Sequence, residues 1–387
     1  MIKTRYPISN MNESDSGQST PQKKTLLSRA RSFYARIEGP FSSLSLIAGF
    51  VFDAVTLTRV DEFWENFWVV GHLAIVTVCA LLIHLIENEP GAEENPEKLH
   101  FWLVNITQFF FGGIFSTFLV FYFRSGTIVS SWPFLLLLAV AFIANERFKR
   151  HYARLAFQLS LIFLSYYAFA IYLLPIFFHQ INDWIFVLSG IVALATIGAF
   201  AMILKKFSRE RFTAKAKWAT IGGIVGIVVA VNALYFANLI PPLPISLKDA
   251  GIYQSFTVNS PGNYTAQAED QGWLSFFEWS PTIHVQSGAV LYAYTAIFSP
   301  TSFSENVIHE WQHYDPAQKA WVTRGRIVLP TNGGGSQGWR TFSLEEDLSA
   351  GAWRVNVSLP TGQLVGQLRF NVAITTTTPV LVTRDIN

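Results

Sequence analysis

Between residues 40 and 240 the sequence is a series of long apolar runs, and these runs constrain the fold more than any other feature. About 20 apolar residues are enough for a helix to cross the hydrocarbon core of a bilayer. Charged residues make up 14% of the chain, against about 25% in a typical soluble domain. The chain is therefore predicted to be a membrane protein. The five longest runs contain no Asp, Glu, Lys or Arg: 67–86, 102–123, 155–177, 184–204 and 218–240.

Two shorter runs, at 41–58 and 128–145, bring the predicted number of transmembrane helices to seven. Lys and Arg are enriched in the cytoplasmic loops of membrane proteins, so their distribution predicts orientation. With seven spans, the N-terminal tail shares one side with the loops near 87–101, 146–154 and 205–217, and that side holds 18 basic residues. The opposite short loops hold 2. The N-terminus is therefore predicted to be cytoplasmic and the C-terminal region to lie outside the cytoplasm.

The composition divides the chain into four predicted parts. Residues 1–39 form a basic cytoplasmic tail with an amphipathic segment, and residues 40–240 form the seven-helix transmembrane domain. Residues 241–280 begin with a proline-rich run, which cannot continue a helix, and are interpreted as an extended linker that leads into the last domain. Residues 281–387 are predicted to be an extracytoplasmic β-sandwich.

Polar residues inside the predicted spans are few, and two of them are candidates for function. Asp53 is the one group well inside a span that is charged at neutral pH, and ionisable residues within a membrane are costly and often functional. It lies near the end of its span at Arg59, where its carboxylate can pair or reach the interface. His72, in the second span, is interpreted as an interhelical hydrogen-bond partner.

The C-terminal region shows the two-residue alternation of half-buried strands. In 351–359 and 366–374, apolar residues alternate with polar ones. Short strands separated by turn signals are typical of an all-β sandwich, so the predicted fold is a transmembrane α-helical bundle followed by an all-β, immunoglobulin-like sandwich. Further strands are predicted at 289–298, 306–314, 320–329 and 339–343.

One motif in this region matches the H-E-x-x-H signature of zinc metalloproteases, from His309 to His313. That chemistry requires a helix, on which the two histidines lie one turn apart and bind the same zinc ion. On a strand the two residues are about 13 Å apart, which is too far for one ion. The segment 306–314 is rich in β-branched and aromatic residues, which favours a strand. No metal ligand set and no catalytic residue are predicted.

Exposed tryptophan and arginine suit sugar or anionic ligands, because arginine stacks on indole rings and binds anionic groups. Trp353 and Trp321 are interpreted as core residues, which leaves Trp311 and Trp339 as the more open tryptophans. The candidate ligand-binding residues are therefore Trp311, Trp339, Arg340 and His309.

Four segments of the same region are characteristic in combination: Ile308-His309-Glu310-Trp311-Gln312, Trp339-Arg340-Thr341-Phe342-Ser343, Gly351-Ala352-Trp353-Arg354-Val355 and Gly366-Gln367-Leu368-Arg369-Phe370. With these segments the region resembles the bacterial domain of unknown function 2914, over roughly residues 240–374. In that resemblance His309 and Trp311 match an H-x-W pattern, and Glu310 is not part of it. The resemblance implies a bacterial envelope protein and carries no known activity.

Three hypotheses of function follow. The first is a non-enzymatic protein of the bacterial inner membrane, whose periplasmic sandwich binds a protein partner or an envelope polymer such as a glycan. The second is a transporter or transmembrane signal-relay protein in which the helices are the active part, with Asp53 as the discriminating residue. The third is a zinc metalloprotease. The lipid bilayer is an expected partner, and neither a cofactor nor nucleic acid is expected.

Overall fold

The computed structural model describes residues 50–57, 62–86, 96–147, 155–207, 213–260, 263–270, 280–299, 305–330 and 338–386. The predicted basic tail at 1–39, with its amphipathic segment, lies outside the described residues, as do residues 41–49 of the first predicted span. All described residues belong to one unit of the chain, Gly49–Asn387, which contains the helices as well as the strands.

The apolar half of the described chain is helical, as expected for segments whose backbone polar groups must be satisfied within lipid. Five of its helices, α2, α3, α5, α6 and α7, are long and apolar enough to cross a membrane. The apolar stretch of α4, Ser130–Asn145, is shorter. The seven helices of the described residues are α1 at 50–56, α2 at Phe63–Ile86, α3 at Pro96–Arg124, α4 at Ile128–Arg147, α5 at Leu155–Phe178, α6 at Asp183–Phe207 and α7 at Ala214–Phe236.

The rest of the described chain is β-rich and forms three sheets. Their strand orders are β1-β5-β8, β4-β10-β9-β6-β7 and β11-β3-β2. Neighbouring strands are antiparallel, except that β4 and β10 are parallel. The strands are β1 Ser246–Tyr253, β2 Ser255–Ser260, β3 Asn263–Glu269, β4 Thr282–Val285, β5 Leu291–Phe298, β6 Asn306–Asp315, β7 Ala320–Pro330, β8 Trp339–Glu345, β9 Gly351–Ser358, β10 Leu364–Ile374 and β11 Leu381–Ile386.

The β1-β5-β8 sheet is covered on both of its faces. On one face the five-stranded sheet packs against it, with Trp311 and Trp353 in the same core cluster as Leu291. On the other face Tyr294 clusters with Tyr264 of the β11-β3-β2 sheet. The described strands thus form three layers, where the sequence predicted a sandwich of two sheets. The physical reason is that β5 is buried on almost all positions, so that each of its faces requires a covering sheet.

The segment 241–280 also differs from its interpretation as an extended linker. It contributes β1, which pairs with β5, and β2 and β3, which pair with each other. Each of these strands lies against the core with one face, or with only part of its length. The remaining positions carry polar residues such as Lys248, Asp249 and Gln267. Their apolar alternation is therefore weaker than that of β9 and β10.

The helical and β-rich parts meet where the connection between α5 and α6 enters the β core. Ile181, in that connection, is 8% exposed. Its backbone N–H donates a hydrogen bond of 3.3 Å to the carboxylate of Glu305, just before β6. The side chain of Ile181 shares a core cluster with six residues of the β-rich part: Ile245, Ile297, Val307, Val357, Leu359 and Val365.

Other contacts place more helix ends on the same side. The Arg124 guanidinium, at the end of α3, donates hydrogen bonds to the carbonyl groups of Ala54 and Leu57 at the end of α1. Gly126 lies against Pro241, which follows α7, so closely that a Cβ on Gly126 would be 3.0 Å from the Cβ of Pro241. The C-terminal ends of α1, α3, α5 and α7 therefore lie beside the β-rich part.

Candidate functional site

Strand β6 divides the H-E-W-Q-H motif between two faces of the five-stranded sheet. Side chains alternate along a strand, so His309, Trp311 and His313 face the core while Glu310 and Gln312 face outward. The predicted strand at 306–314 is confirmed by β6. Because the motif is not helical, its two histidines do not lie one turn apart as a zinc protease requires. In the described part of the chain, no group of three His, Cys, Asp or Glu side chains could hold a metal ion.

On the inner face, His309 joins the two sheets that form the main core. Its Nδ1 lies 2.8 Å from Ser343 Oγ on β8, and its Nε2 lies 3.0 Å from Thr295 Oγ1 on β5. Trp311 Nε1 donates a hydrogen bond of 2.9 Å to the same Ser343 oxygen. Burial lowers the pKa of His309 to about 4. A neutral imidazole has one donor and one acceptor, which the two hydroxyls satisfy.

This inner network explains the H-x-W pattern in structural terms. The two residues lie two apart on β6, so both face the core and both reach Ser343. His313 is held separately, with its Nε2 3.2 Å from the Ala350 carbonyl oxygen and its ring 4.9 Å from that of Trp353. The histidines of the motif thus serve the packing of the core.

The four candidate ligand-binding residues do not converge on one site. His309 and Trp311 are both 0% exposed, which corrects the expectation that Trp311 is one of the open tryptophans. Trp339 and Arg340 are half-buried neighbours on β8, and adjacent residues of a strand face opposite sides of the sheet. Arg340 faces the side of Tyr264, whose hydroxyl donates a hydrogen bond of 3.3 Å to the Arg340 carbonyl oxygen.

The outward face of the five-stranded sheet instead carries a connected set of polar side chains. We call this set the outer polar face: Gln312 of β6, Arg354 and Asn356 of β9, and Gln367 and Arg369 of β10. The strand register places Gln312 opposite Arg354, Asn356 opposite Gln367, and Arg354 opposite Arg369. Cross-strand partners share one face of a sheet, so all five side chains are neighbours.

Hydrogen bonds run through the outer polar face from strand to strand. Gln312 Oε1 accepts from Arg354 Nε at 2.7 Å and from Asn356 Nδ2 at 3.3 Å. Asn356 Oδ1 accepts from Gln367 Nε2 at 2.6 Å, and Gln367 Oε1 accepts from Arg369 Nε at 2.6 Å. Since each side chain orients the next, the face holds a defined arrangement without a ligand.

An aromatic residue borders the outer polar face. The Arg354 guanidinium carbon lies 4.3 Å from the centre of the Trp321 ring, and the Tyr314 ring lies 5.4 Å from it. Trp321 is half-buried on this outward face, which corrects its interpretation as a core residue. Burial, together with the neighbouring Arg369 guanidinium, lowers the pKa of Arg354 from its ordinary value.

The two candidate polar residues of the helices lie close enough to interact electrostatically. Asp53 is on α1 and His72 is on α2. The Nδ1 of His72 lies 2.8 Å from the Trp68 carbonyl oxygen of its own helix, to which it donates. A Cβ on Gly113 of α3 would lie 2.9 Å from His72 Nε2, so the imidazole fills the space at that glycine. His72 is thus part of the α2–α3 packing.

Sequence reasoning did not single out Gln312, Asn356 or Gln367 as site residues. The available signal was the polar half of the alternation in 351–359 and 366–374, which places alternate residues on the solvent face. The register that aligns these residues across strands was not available, because it depends on pairing between distant segments.

A family model and several chains of solved structures match this chain, whereas a search of curated proteins gave no match. The first structure is a β-glucosidase from Listeria innocua in complex with gluconolactone, with 10% identity and a TM-score of 0.18, covering 32% of this chain and 16% of that one. The second is the alkylpurine DNA glycosylase AlkC of Pseudomonas fluorescens bound to DNA containing an abasic site analog. Its identity is 9% and its TM-score 0.21, with coverage of 81% of this chain and 99% of that one. Scores this low show no shared fold.

The family model covers the strands that form both faces described above. It is described as a protein of unknown function, DUF2914, and it matches residues 304–372. The matched range runs from the start of β6 to near the end of β10, a narrower span than the resemblance over 240–374 had indicated. The family comparison thus confirms the resemblance and identifies the C-terminal region of this chain as similar to DUF2914.

Proposed function

We propose that this chain is a seven-span protein of the bacterial inner membrane that presents its β-rich part in the periplasm and binds an envelope partner there without catalysis. The outer polar face is the proposed binding surface. The observation that carries the proposal is the junction at Ile181, which fixes the β-rich part to one end of the helices.

The junction supports the proposed orientation because it agrees with the charge distribution. The ends of α1, α3, α5 and α7 beside the β-rich part belong to the side whose short loops hold 2 basic residues. The opposite side, with the N-terminal tail, holds 18. Placing the basic side in the cytoplasm puts the β-rich part outside it. Since α3 and α5 end on the same side, α4 must cross the bilayer between them, and together with the predicted span at 41–58 this gives seven spans.

The outer polar face lies far from the bilayer in this arrangement. Val307, at the start of β6, belongs to the junction cluster with Ile181. Tyr314 is seven residues further along the same strand and borders Trp321. At about 3.3 Å per residue, the distal end of the face is about 23 Å from the junction, which is a suitable position for a partner in the periplasm.

The orientation can be tested by labelling single cysteines with a membrane-impermeant maleimide in cells whose outer membrane has been permeabilised. Cys79, which is buried in α2, is first replaced by alanine. Gln318→Cys, in the exposed turn after β6, is expected to react while the inner membrane is intact. Lys215→Cys, at the exposed start of α7, is expected to react only after the cells are lysed. The reverse pattern contradicts the proposed topology.

A transmembrane relay or transporter is the second candidate, favoured by the interaction of Asp53 with His72 within the helices. Proteoliposomes that contain a pH-sensitive dye separate it from the first candidate. A proton-coupled protein acidifies the lumen and loses this activity in Asp53→Asn, whereas a membrane anchor shows no proton uptake in either form.

A further inference from the structure

We propose that the outer polar face binds an acidic polysaccharide, with Arg354 and Arg369 binding its anionic groups and Trp321 stacking on a sugar ring. This inference rests on the proposed function and names the ligand class of that same surface. It is carried by the geometry of the five side chains, by the charge of the face and by the position of the indole.

The first observation is that the face is ordered but its hydrogen-bonding capacity is not used up. Arginine has five N–H donors, and Arg354 donates through Nε alone among the residues that the structure describes. Its terminal nitrogens remain for a ligand. Amide and guanidinium groups held in place suit sugar hydroxyls and carboxylates, because a ligand then meets donors and acceptors that need little further ordering.

The second observation is the charge of the face. Arg354 and Arg369 are direct cross-strand partners on β9 and β10, so two guanidinium groups lie side by side. One row towards the membrane, Arg326 lies opposite Glu310 on the same face. Among the described residues that these strands present on this face, three cations with one carboxylate give an excess of positive charge, which complements a polymer with repeated acidic groups.

The third observation is the aromatic surface at the edge of the face. Trp321 is half-exposed, and Arg354 covers one part of its ring at 4.3 Å. A ring held by a cation on one side and by Tyr314 at its edge is a rigid, amphipathic platform. Such a platform, next to hydrogen-bonding groups, fits the apolar face of a sugar ring. It fits an extended acidic peptide less well.

The composition of the face also argues against a protein partner. Protein interfaces have an apolar core, in which aromatic residues, Met and Arg are enriched and Lys, Glu and Asp are depleted. Here the centre is made of arginines and amides, and the large exposed apolar residue of the same face, Val328, lies at the end near the membrane, opposite Ile308. The surface is therefore better matched to a polar, flexible polymer.

The test uses the full chain in detergent micelles, with alginate as the acidic polysaccharide, dextran as the neutral one and polyglutamate as an acidic peptide. Binding to alginate is expected, and it should weaken as salt rises from about 0.1 M to about 1 M, where the Debye length falls from about 10 Å to about 3 Å. Binding to dextran should be much weaker. Equal binding to dextran, or stronger binding to polyglutamate, overturns the inference.

The double variant Arg354→Gln, Arg369→Gln tests the site, because it removes both guanidinium groups. It is expected to lower the affinity for alginate by about tenfold or more. Lys215→Gln with Lys217→Gln, at two exposed lysines near the start of α7, removes the same number of charges away from the face and should leave the affinity unchanged. Arg354→Lys keeps the charge but not the planar donor fork, so an intermediate loss is expected. Equal affinity in the double variant and the control overturns the inference. The cysteine labelling distinguishes this failure from a failure of the proposed function. If alginate binding fails while Gln318→Cys is still labelled before lysis, the proposed topology stands. Reversed labelling refutes the topology whether or not alginate binds.

Discussion

The two faces of strand β6 show how one short motif serves two purposes. Its inward residues, His309 and Trp311, lie in a closed network whose hydrogen-bond partners are all protein groups. Its outward residue Gln312 lies in an equally connected network that water still reaches. The difference teaches that hydrogen bonding alone does not identify a site. Burial determines whether a polar network stabilises the fold or remains available to a ligand.

Removing an indole from each face should give the largest contrast. Trp311→Ala is expected to lower the free energy of unfolding of the β-rich part by about 3–5 kcal/mol, because it leaves a cavity in a fully buried core. Trp321→Ala, on the half-exposed face, should cost about 1 kcal/mol or less. Pulse proteolysis of the full chain in detergent measures both values. Equal losses in the two variants contradict the division into core and surface.

Acid should destabilise the inner face specifically. Burial lowers the pKa of His309 from 6.5 to about 4, so the folded protein binds fewer protons than the unfolded chain between these values. Stability is therefore unaffected by this group above about pH 6.5 and falls as the pH is lowered, by up to about 3 kcal/mol near pH 4. The measurement is the pH dependence of unfolding in wild type and in His309→Gln, which should show a flatter profile. Parallel profiles contradict the assignment.

The central residue of each network can be compared directly. Ser343→Ala leaves polar atoms of His309 and Trp311 buried without their partner, at an expected cost of about 1–3 kcal/mol. Gln312→Ala removes three hydrogen bonds, with Arg354, Asn356 and Thr323, on a face where water can replace them. The expected cost is below about 1 kcal/mol. The two unfolding free energies are measured side by side. A larger loss in Gln312→Ala implies that the outer network is the more important one for stability.

The smallest effect is expected for Glu310→Gln. Glu310 is on the outward face, where its carboxylate accepts a hydrogen bond of 2.8 Å from Thr323. An amide keeps this acceptor, so stability should change by about 0.5 kcal/mol or less. Metal analysis of the purified protein completes the test. Stoichiometric zinc that is lost in His309→Gln would restore the protease hypothesis.

The strands of the C-terminal half were largely predictable from local alternation. The predicted segments 306–314, 320–329 and 351–359 agree with β6, β7 and β9 to within one or two residues. Each has one face against the core, which imposes a two-residue period on the sequence. The same period assigned Arg354 and Arg369 to the solvent face before any pairing was known.

The rest depended on contacts between distant segments. The third sheet, made of β2, β3 and β11, was not predicted because its strands show only weak apolar alternation. Trp311 and Trp321 exchanged their expected environments, since the sequence does not show which face of a pair of strands meets the core. The outer polar face required the register between β6, β9 and β10.

The insertion of Ile181 into the β core has a consequence for biosynthesis. A residue between two helices that are long and apolar enough to cross a membrane completes the hydrophobic core of a region that is synthesised later, after α7. The C-terminal part can therefore reach its final packing once α5, α6 and the segment between them are in place, so that its core depends on helices that are synthesised before it. A fragment that begins at Pro241 lacks this residue and exposes the apolar cluster that it covers, which makes the excised domain prone to aggregation.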